Sequence, residues 1–171
     1  MSETPTLRDD GVVLRPLALD DAPALFIAMG DAEVQRFRRQ DAHADVGETE
    51  RYIADTLQRS RAAWAITESG GEALGRLALR VAGDIGEFGI VLRRAAQRRG
   101  LGAKAIRLAE AFAFEELRLR MLNANIDSEN TASIGLFTSL GFVRTELRAG
   151  DRATAVGLRD SVVLSKSAPQ S

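Results

Sequence analysis

The sequence predicts an α+β chain built as an α/β three-layer arrangement: a mixed, mostly antiparallel central sheet of about seven strands flanked by helices. Three observations predict it. Between residues 62 and 92, the apolar runs "AAWAITE", "ALGRLALRV" and "EFGIVL" are separated only by Ser69-Gly70-Gly71 and Ala82-Gly83-Asp84. Strands joined that tightly pair antiparallel. Beyond residue 100, helical periodicity alternates with strand-like runs without the regular repeat of a doubly wound sheet. A length of 171 residues with 45% hydrophobic content suits a single domain with a substantial core.

Each element has its own local reason. "VVLRPL" (12–17) reads as a strand stopped at Pro16. "DDAPALFIAMG" then opens a helix, with Asp20 or Asp21 as cap, Pro23 in the first turn and Gly30 at the stop. A second helix is expected over 47–62, where Tyr52, Ile53 and Leu57 recur at helical spacing. After the three strands, "GAKAIRLAEAFAFEEL" carries a broad apolar sector through Ala105, Leu108, Ala109, Phe112 and Ala113. "LRMLNANI" is a strand, and "NTASIGLFTSLGF" a helix capped by Asn130 and closed at Gly141. Two last strands, near 142–148 and 157–165, are expected around the turn "RAGD". The order is β-α-α-β-β-β-α-β-α-β-β. One domain spans 1–171, with its core over about 11–166 and frayed ends at 1–10 and 167–171.

Composition narrows the function. With 23 basic and 24 acidic residues the net charge is −1, which gives no footprint for nucleic acid. The absence of cysteine removes disulfides, thiolate metal sites and a cysteine nucleophile. The polar start "MSETPTLRDDG" is unlike a leader peptide, and no apolar run reaches the roughly 20 residues that span a bilayer. The expectation is a cytoplasmic protein without metal, nucleic-acid or membrane partners.

Against that neutral background, "EFGIVLRRAAQRRGLGAKAI" (87–106) concentrates arginines ahead of Gly-Leu-Gly at a helix start. Three phosphate-binding patterns compete there. Gly100 to Ala105 fits the dinucleotide fingerprint, with Asp127 downstream, but "RRAAQRR" intervenes where strand should turn directly into helix. Lys104 lacks the following Ser or Thr of a nucleoside-triphosphate loop. The third pattern is Gln/Arg-x-x-Gly-x-Gly/Ala, here Gln97-Arg98-Arg99-Gly100-Leu101-Gly102. It exposes consecutive backbone amides at the positive end of a helix dipole, which suits a pyrophosphate. A solvated arginine loop entering a core helix fits the same residues.

Three segments in this order resemble the GNAT superfamily of acetyl-CoA-dependent N-acetyltransferases, in the branch similar to ribosomal-protein N-terminal (RimJ/RimL-like) enzymes. They are "VVLRPLALDDAPAL", "EFGIVLRRAAQRRGLGAKAI" and "NTASIGLFTSLGFVRTELR". The resemblance covers about 11–166. It implies a splayed parallel pair, "EFGIVL" and "LRMLNANI", whose gap receives acetyl-CoA. The pantetheine would meet the backbone of Ile90, Val91 and Leu92. The pyrophosphate would rest on the loop of Gln97, Arg98, Arg99, Gly100, Leu101, Gly102 and Ala103. Asn130, Ser133 and Phe137 would line the other side, Asn130 also serving as a helix cap.

The implied reaction is direct acetyl transfer to a primary amine, either a protein N-terminus or a small-molecule amine. A catalytically degenerate acyl-CoA-binding module is the alternative. An ammonium nucleophile must first lose a proton. The resemblance offers Glu87 as general base, although an ordinary strand-end carboxylate would look the same. A backbone N–H near Val91 would meet the acetyl carbonyl. Many relatives carry a tyrosine where this chain has Phe137, so Ser133, Ser128 or water would protonate the thiolate, or it leaves as an anion. His43 is expected on a surface loop, and Trp64, Phe112 and Phe114 in the core. Residues 29–48 and 145–157 should build the acceptor side, and the chain is expected as a monomer or homodimer.

Overall fold

The computed structural model describes residues 3–154 and 157–170. Among them, β1 (Leu7–Asp9), β2 (Val12–Pro16), β3 (Ala62–Thr67), β4 (Gly75–Ala82), β5 (Ile85–Leu92), β6 (Met121–Asp127), β7 (Val143–Thr154) and β8 (Gly157–Ser167) form one sheet. Its spatial order is β1-β2-β3-β4-β5-β6-β8-β7. Every neighbouring pair is antiparallel except β5 and β6. The parallel ladder runs from Ile85–Met121 to Phe88–Ala124 and stops there. Beyond that point β5 continues to Leu92 against β4, and β6 to Asp127 against β8. The two strands therefore part, leaving a gap in mid-sheet with one edge of each backbone unpaired.

Helices α1 (Ala22–Met29), α2 (Ala32–Gln35), α3 (Val46–Arg59), α4 (Leu101–Ala111) and α5 (Thr131–Ser139) complete the layers. Strand alternation separates two cores. Trp64, Leu77, Phe88 and Leu122 pack with Ala105, Ile106 and Ala109 of α4 and Phe137 of α5. The opposite face offers small residues, Ala63, Ala65 and Ala78, to Leu25 and Met29 of α1 and Ile53 of α3. In α3, Asp45 caps Glu48 N at 2.9 Å, while Glu48 reaches back to Ala44 N at 2.9 Å. Buried Thr49, Ile53 and Thr56 then fall on one helical face.

Four local expectations are corrected. Residues 3–10 are tied down: β1 pairs with β2, and the buried Trp64 indole donates to Pro5 O at 2.8 Å. A buried indole N–H needs an acceptor, and the N-terminal segment supplies it. At the other end β8 continues to Ser167, and Ala168 N donates to Arg120 O at 2.9 Å. The expected "RAGD" turn lies inside β7, where the register slips between Arg148 and Arg152. There Gly150 has φ 60, and its N–H donates to Asp160 Oδ1 at 2.8 Å, the signature of a bulge. The helix expected to reach 62 stops at Arg59, because Ala62 already opens β3 opposite Leu79.

Candidate acetyl-CoA and acceptor site

β5 leads through a short 3-10 turn, Arg94–Ala96, into Gln97–Gly100 and then α4. Arg98 (φ 61) and Gly100 (φ 76) both have the left-handed backbone that recurs in anion-binding nests. The start of α4 has no side-chain cap, whereas α2, α3 and α5 are capped by Asp31, Asp45 and Asn130. Its first amides are left for another acceptor. A Cβ on Gly100 would meet no atom within 4 Å, but the left-handed φ disfavours any other residue there. A Cβ on Gly102 would stand 3.3 Å from Leu136 Cδ2 and 3.6 Å from Leu92 Cδ1. This glycine is where β5, α4 and α5 close on one another.

The basic string divides its tasks. Arg93 is anchored on Ala24 O, Ala73 O and Glu72. Arg94 pairs with Asp31 at 2.6 Å, and Arg99 with Glu68 at 2.9 Å. Lys104 donates to Asp10 O at 2.9 Å. Gln97 donates to Leu92 O at 3.0 Å, bracing the loop against the end of β5. Of the loop arginines, Arg98 has no ion pair among the described residues. Leu101 is buried, so only its backbone faces the loop; Ala103 is half-buried. Ile90 and Leu92 turn toward α4, and Val91 lies buried on the α1–α3 side.

Across the gap, Asn130 Oδ1 accepts from Ser133 N at 3.2 Å and caps α5. Ser133 is half-buried. The expectation that Phe137 lines the gap is corrected: it is 1% exposed and meets Phe142 edge-on at 5.1 Å. Helical geometry explains this. Leu136 faces Gly102, and the next residue lies about 100° further round, turned into the core.

Glu87, exposed on β5, is opposite Arg80 on β4 and Asn123 on β6. It occupies the last paired position on its face before the strands part. Beside it a cavity of about 90 Å³ opens between sheet and α3, lined among others by Arg38, Tyr52, Asp55, Arg76 and Gly89. Arg38 falls in the 29–48 segment expected on the acceptor side, whereas Arg76 lay outside every expected site segment. The only signal was Arg76 and Arg80 alternating with apolar residues, which does not reveal burial. His43 is also corrected: it is buried, its Nδ1 is 2.8 Å from Thr49 Oγ1, and its ring meets Tyr52 edge-on. Burial lowers its pKa. Trp64 and Phe112 are in the core as expected, 5.7 Å apart, with Phe114 packed against the same cluster.

The acetyltransferase (GNAT) domain model matches residues 12–143. The chain belongs to the GNAT acetyltransferases. A protein from T. thermophilus assigned to the acetyltransferases is 28% identical and superposes with a TM-score of 0.85, covering 98% of this chain and 92% of that one. Mycobacterium smegmatis RimJ in complex with CoA-disulfide is 20% identical, with TM-score 0.84 and coverage of 98% and 89%. Vibrio cholerae spermidine N-acetyltransferase in complex with CoA and spermine is 15% identical, with TM-score 0.81 and coverage of 94% and 97%. The last two share the fold. No curated protein sequence matches the chain. As a GNAT acyltransferase the chain uses acetyl-CoA as cosubstrate, and the uncapped helix start beside parted strands fits that molecule's pyrophosphate and pantetheine. Among the described residues no cluster of three or more His, Cys, Asp or Glu could hold a metal, and no helix is long and apolar enough to cross a membrane.

Proposed function

We propose that this GNAT domain transfers an acetyl group from acetyl-CoA directly to a primary amine. The observation that carries the reading is the parting of β5 from β6 beside a long helix whose start no side chain caps. In this reading the amides from Arg98 to Ala103 hold the pyrophosphate, with Arg98 adding charge, and the open edge of Ile90–Leu92 holds the pantetheine. Asn130 and Ser133 close the opposite side. Bound acetyl-CoA supplies the activated thioester. An amine in the cavity loses its proton to Glu87, directly or through water. Its nitrogen then bonds to the acetyl carbon as the carbon–sulfur bond breaks. With Phe137 in the core, the second proton shed by the new amide nitrogen passes to the thiolate through Ser133, Ser128 or water acting as a relay, or goes to solvent while the thiolate leaves as an anion, as a pKa of about 8.5 permits.

Thermal denaturation with CoA, followed by thioester consumption against an amine panel, tests this. CoA raises the melting temperature as its concentration exceeds its dissociation constant, and NAD does not. Gly100→Val abolishes that shift. No shift at millimolar CoA overturns the proposal. A shift without turnover on any amine would identify a binding module instead.

A further inference from the structure

Three half-buried arginines of the chain have a carboxylate partner. Arg15 is gripped by both oxygens of Asp21 at 3.0 and 2.7 Å, Arg93 meets Glu72, and Arg159 meets Asp127 and Glu129. Arg76 differs from them. It is 6% exposed, donates once, from Nη1 to Gly89 O at 3.2 Å, and leaves Nε buried without a partner. Its guanidinium lies 5.2 Å from the Tyr52 ring centre. Arg38 lies 5.5 Å from the same ring and donates to Tyr52 Oη at 3.0 Å. Neither has a carboxylate within ion-pair distance among the described residues. Burying one such charge unpaired is costly, and a second beside it adds repulsion.

Both arginines line the cavity that Glu87 borders. Its other acid, Asp55, is held by Arg59 at 2.8 Å. Gly89 keeps room for the arrangement, since a Cβ there would stand 3.3 Å from Arg76 Nη1. Arg152, outside the cavity lining, is a further arginine without an ion pair among the described residues: its Nη groups donate to the carbonyls of Asn125 and Phe37, and its Nε is buried without a partner. A volume of about 90 Å³ holds several water-sized groups, enough for a carboxylate and the carbons behind it. The cavity thus presents donors that need an anion and, at its edge, one free carboxylate suited to an ammonium.

We infer that the acceptor is a small amine carrying its own carboxylate a few bonds away, of the amino-acid class, with that carboxylate seated between Arg38 and Arg76 and the amine toward Glu87. This rests on reading the cavity as the acceptor side of the acetyltransferase. A polyamine would face the wrong charge. A guanidinium–carboxylate contact is charge-assisted and favours the planar bidentate geometry that arginine provides.

The test uses the full chain in a buffer free of small carboxylates. L-amino acids are compared with their carboxamides, with spermidine and with a carboxylate-free peptide amide. Two readouts are taken: kcat/KM with acetyl-CoA, and the melting temperature at saturating CoA. The free acids should exceed their carboxamides by about tenfold or more in kcat/KM, and they alone should raise the melting temperature. In Arg76→Met that preference should fall to near unity through KM, with the CoA-induced shift retained. If spermidine or the carboxylate-free peptide is the better acceptor while CoA still binds, the inference fails and the acetyltransferase reading stands. If no free acid is acetylated or raises the melting temperature, the inference also fails. Loss of the CoA shift in the unmodified chain would count against the acetyltransferase reading itself.

Discussion

Phe137→Tyr asks directly whether the chain has room for a tyrosine acid at the position where many relatives of the family carry one. The phenylalanine ring is 1% exposed, inside the cluster formed with α4 and the sheet, and its edge contact with Phe142 fixes its orientation. The substitution adds one hydroxyl at the far end of that ring. In an apolar cluster such a group loses its water without gaining a partner, at about 1–3 kcal/mol. For a domain of this size each kcal/mol moves the melting temperature by about 2–4 °C. The expected fall is therefore roughly 2–12 °C, with the CoA-induced shift preserved because the helix-start amides are untouched. Thermal denaturation with and without CoA reads both quantities, and steady-state turnover accompanies them. An unchanged melting temperature together with a higher kcat would refute this reasoning. It would show that the ring's far edge reaches the gap, so that α5 presents position 137 to the thiolate after all.

Glu87→Gln should lower kcat about 10²-fold with little change in CoA binding, the deficit shrinking as pH approaches the acceptor's own pKa; near wild-type turnover at pH 7 would move the base elsewhere. His43 should make stability pH-dependent. Burial lowers its pKa from 6.5, aided by Arg38 and Arg51 and opposed by Glu48 and Asp45. The unfolded chain then binds the proton more readily, so the contribution is complete above 6.5 and lost as pH falls toward the folded value. Melting temperatures between pH 7.5 and 5 should therefore fall further for the wild type than for His43→Gln, and parallel curves would contradict the burial argument. Removing residues 1–6 strips Trp64 Nε1 of its acceptor at Pro5. That should cost about 1–3 kcal/mol and shift tryptophan emission to the red, whereas unchanged emission would mean the segment does not seal the indole.

What could be read in advance follows from the range of each physical cause. The hairpins of β3, β4 and β5 are written in Gly-containing turns, and α4 in the spacing of Leu101, Ala105 and Ala109, so local sequence was enough for both. β1 was illegible because "LRD" has no strand pattern of its own. Its order depends on Trp64 and on the hairpin with β2. The "RAGD" segment carries real turn chemistry, but the long β7–β8 pairing absorbs it as a bulge. The cofactor loop divided along the same line. Glycines and the helix start were visible, whereas the partners of Arg99 and Lys104 come from Glu68 and Asp10, far away in the chain.

The acceptor side was the least legible part, for a reason that bears on its chemistry. Arg38, Tyr52, Arg76 and Glu87 come from four separate segments, and each taken alone reads as an ordinary surface residue. Their meaning depends on α3 lying over β4, which turns the strand position of Arg76 from a solvated site into a buried one. The overall charge of −1 made the neighbourhood look neutral because the compensating acids are spent elsewhere, on Arg15, Arg93, Arg94 and Arg159. Specificity in such a pocket arises from charges left without partners, since each one rejects any acceptor that cannot satisfy it. An acceptor's charge is thus better read from the pairing of buried side chains than from the composition of the segments around them.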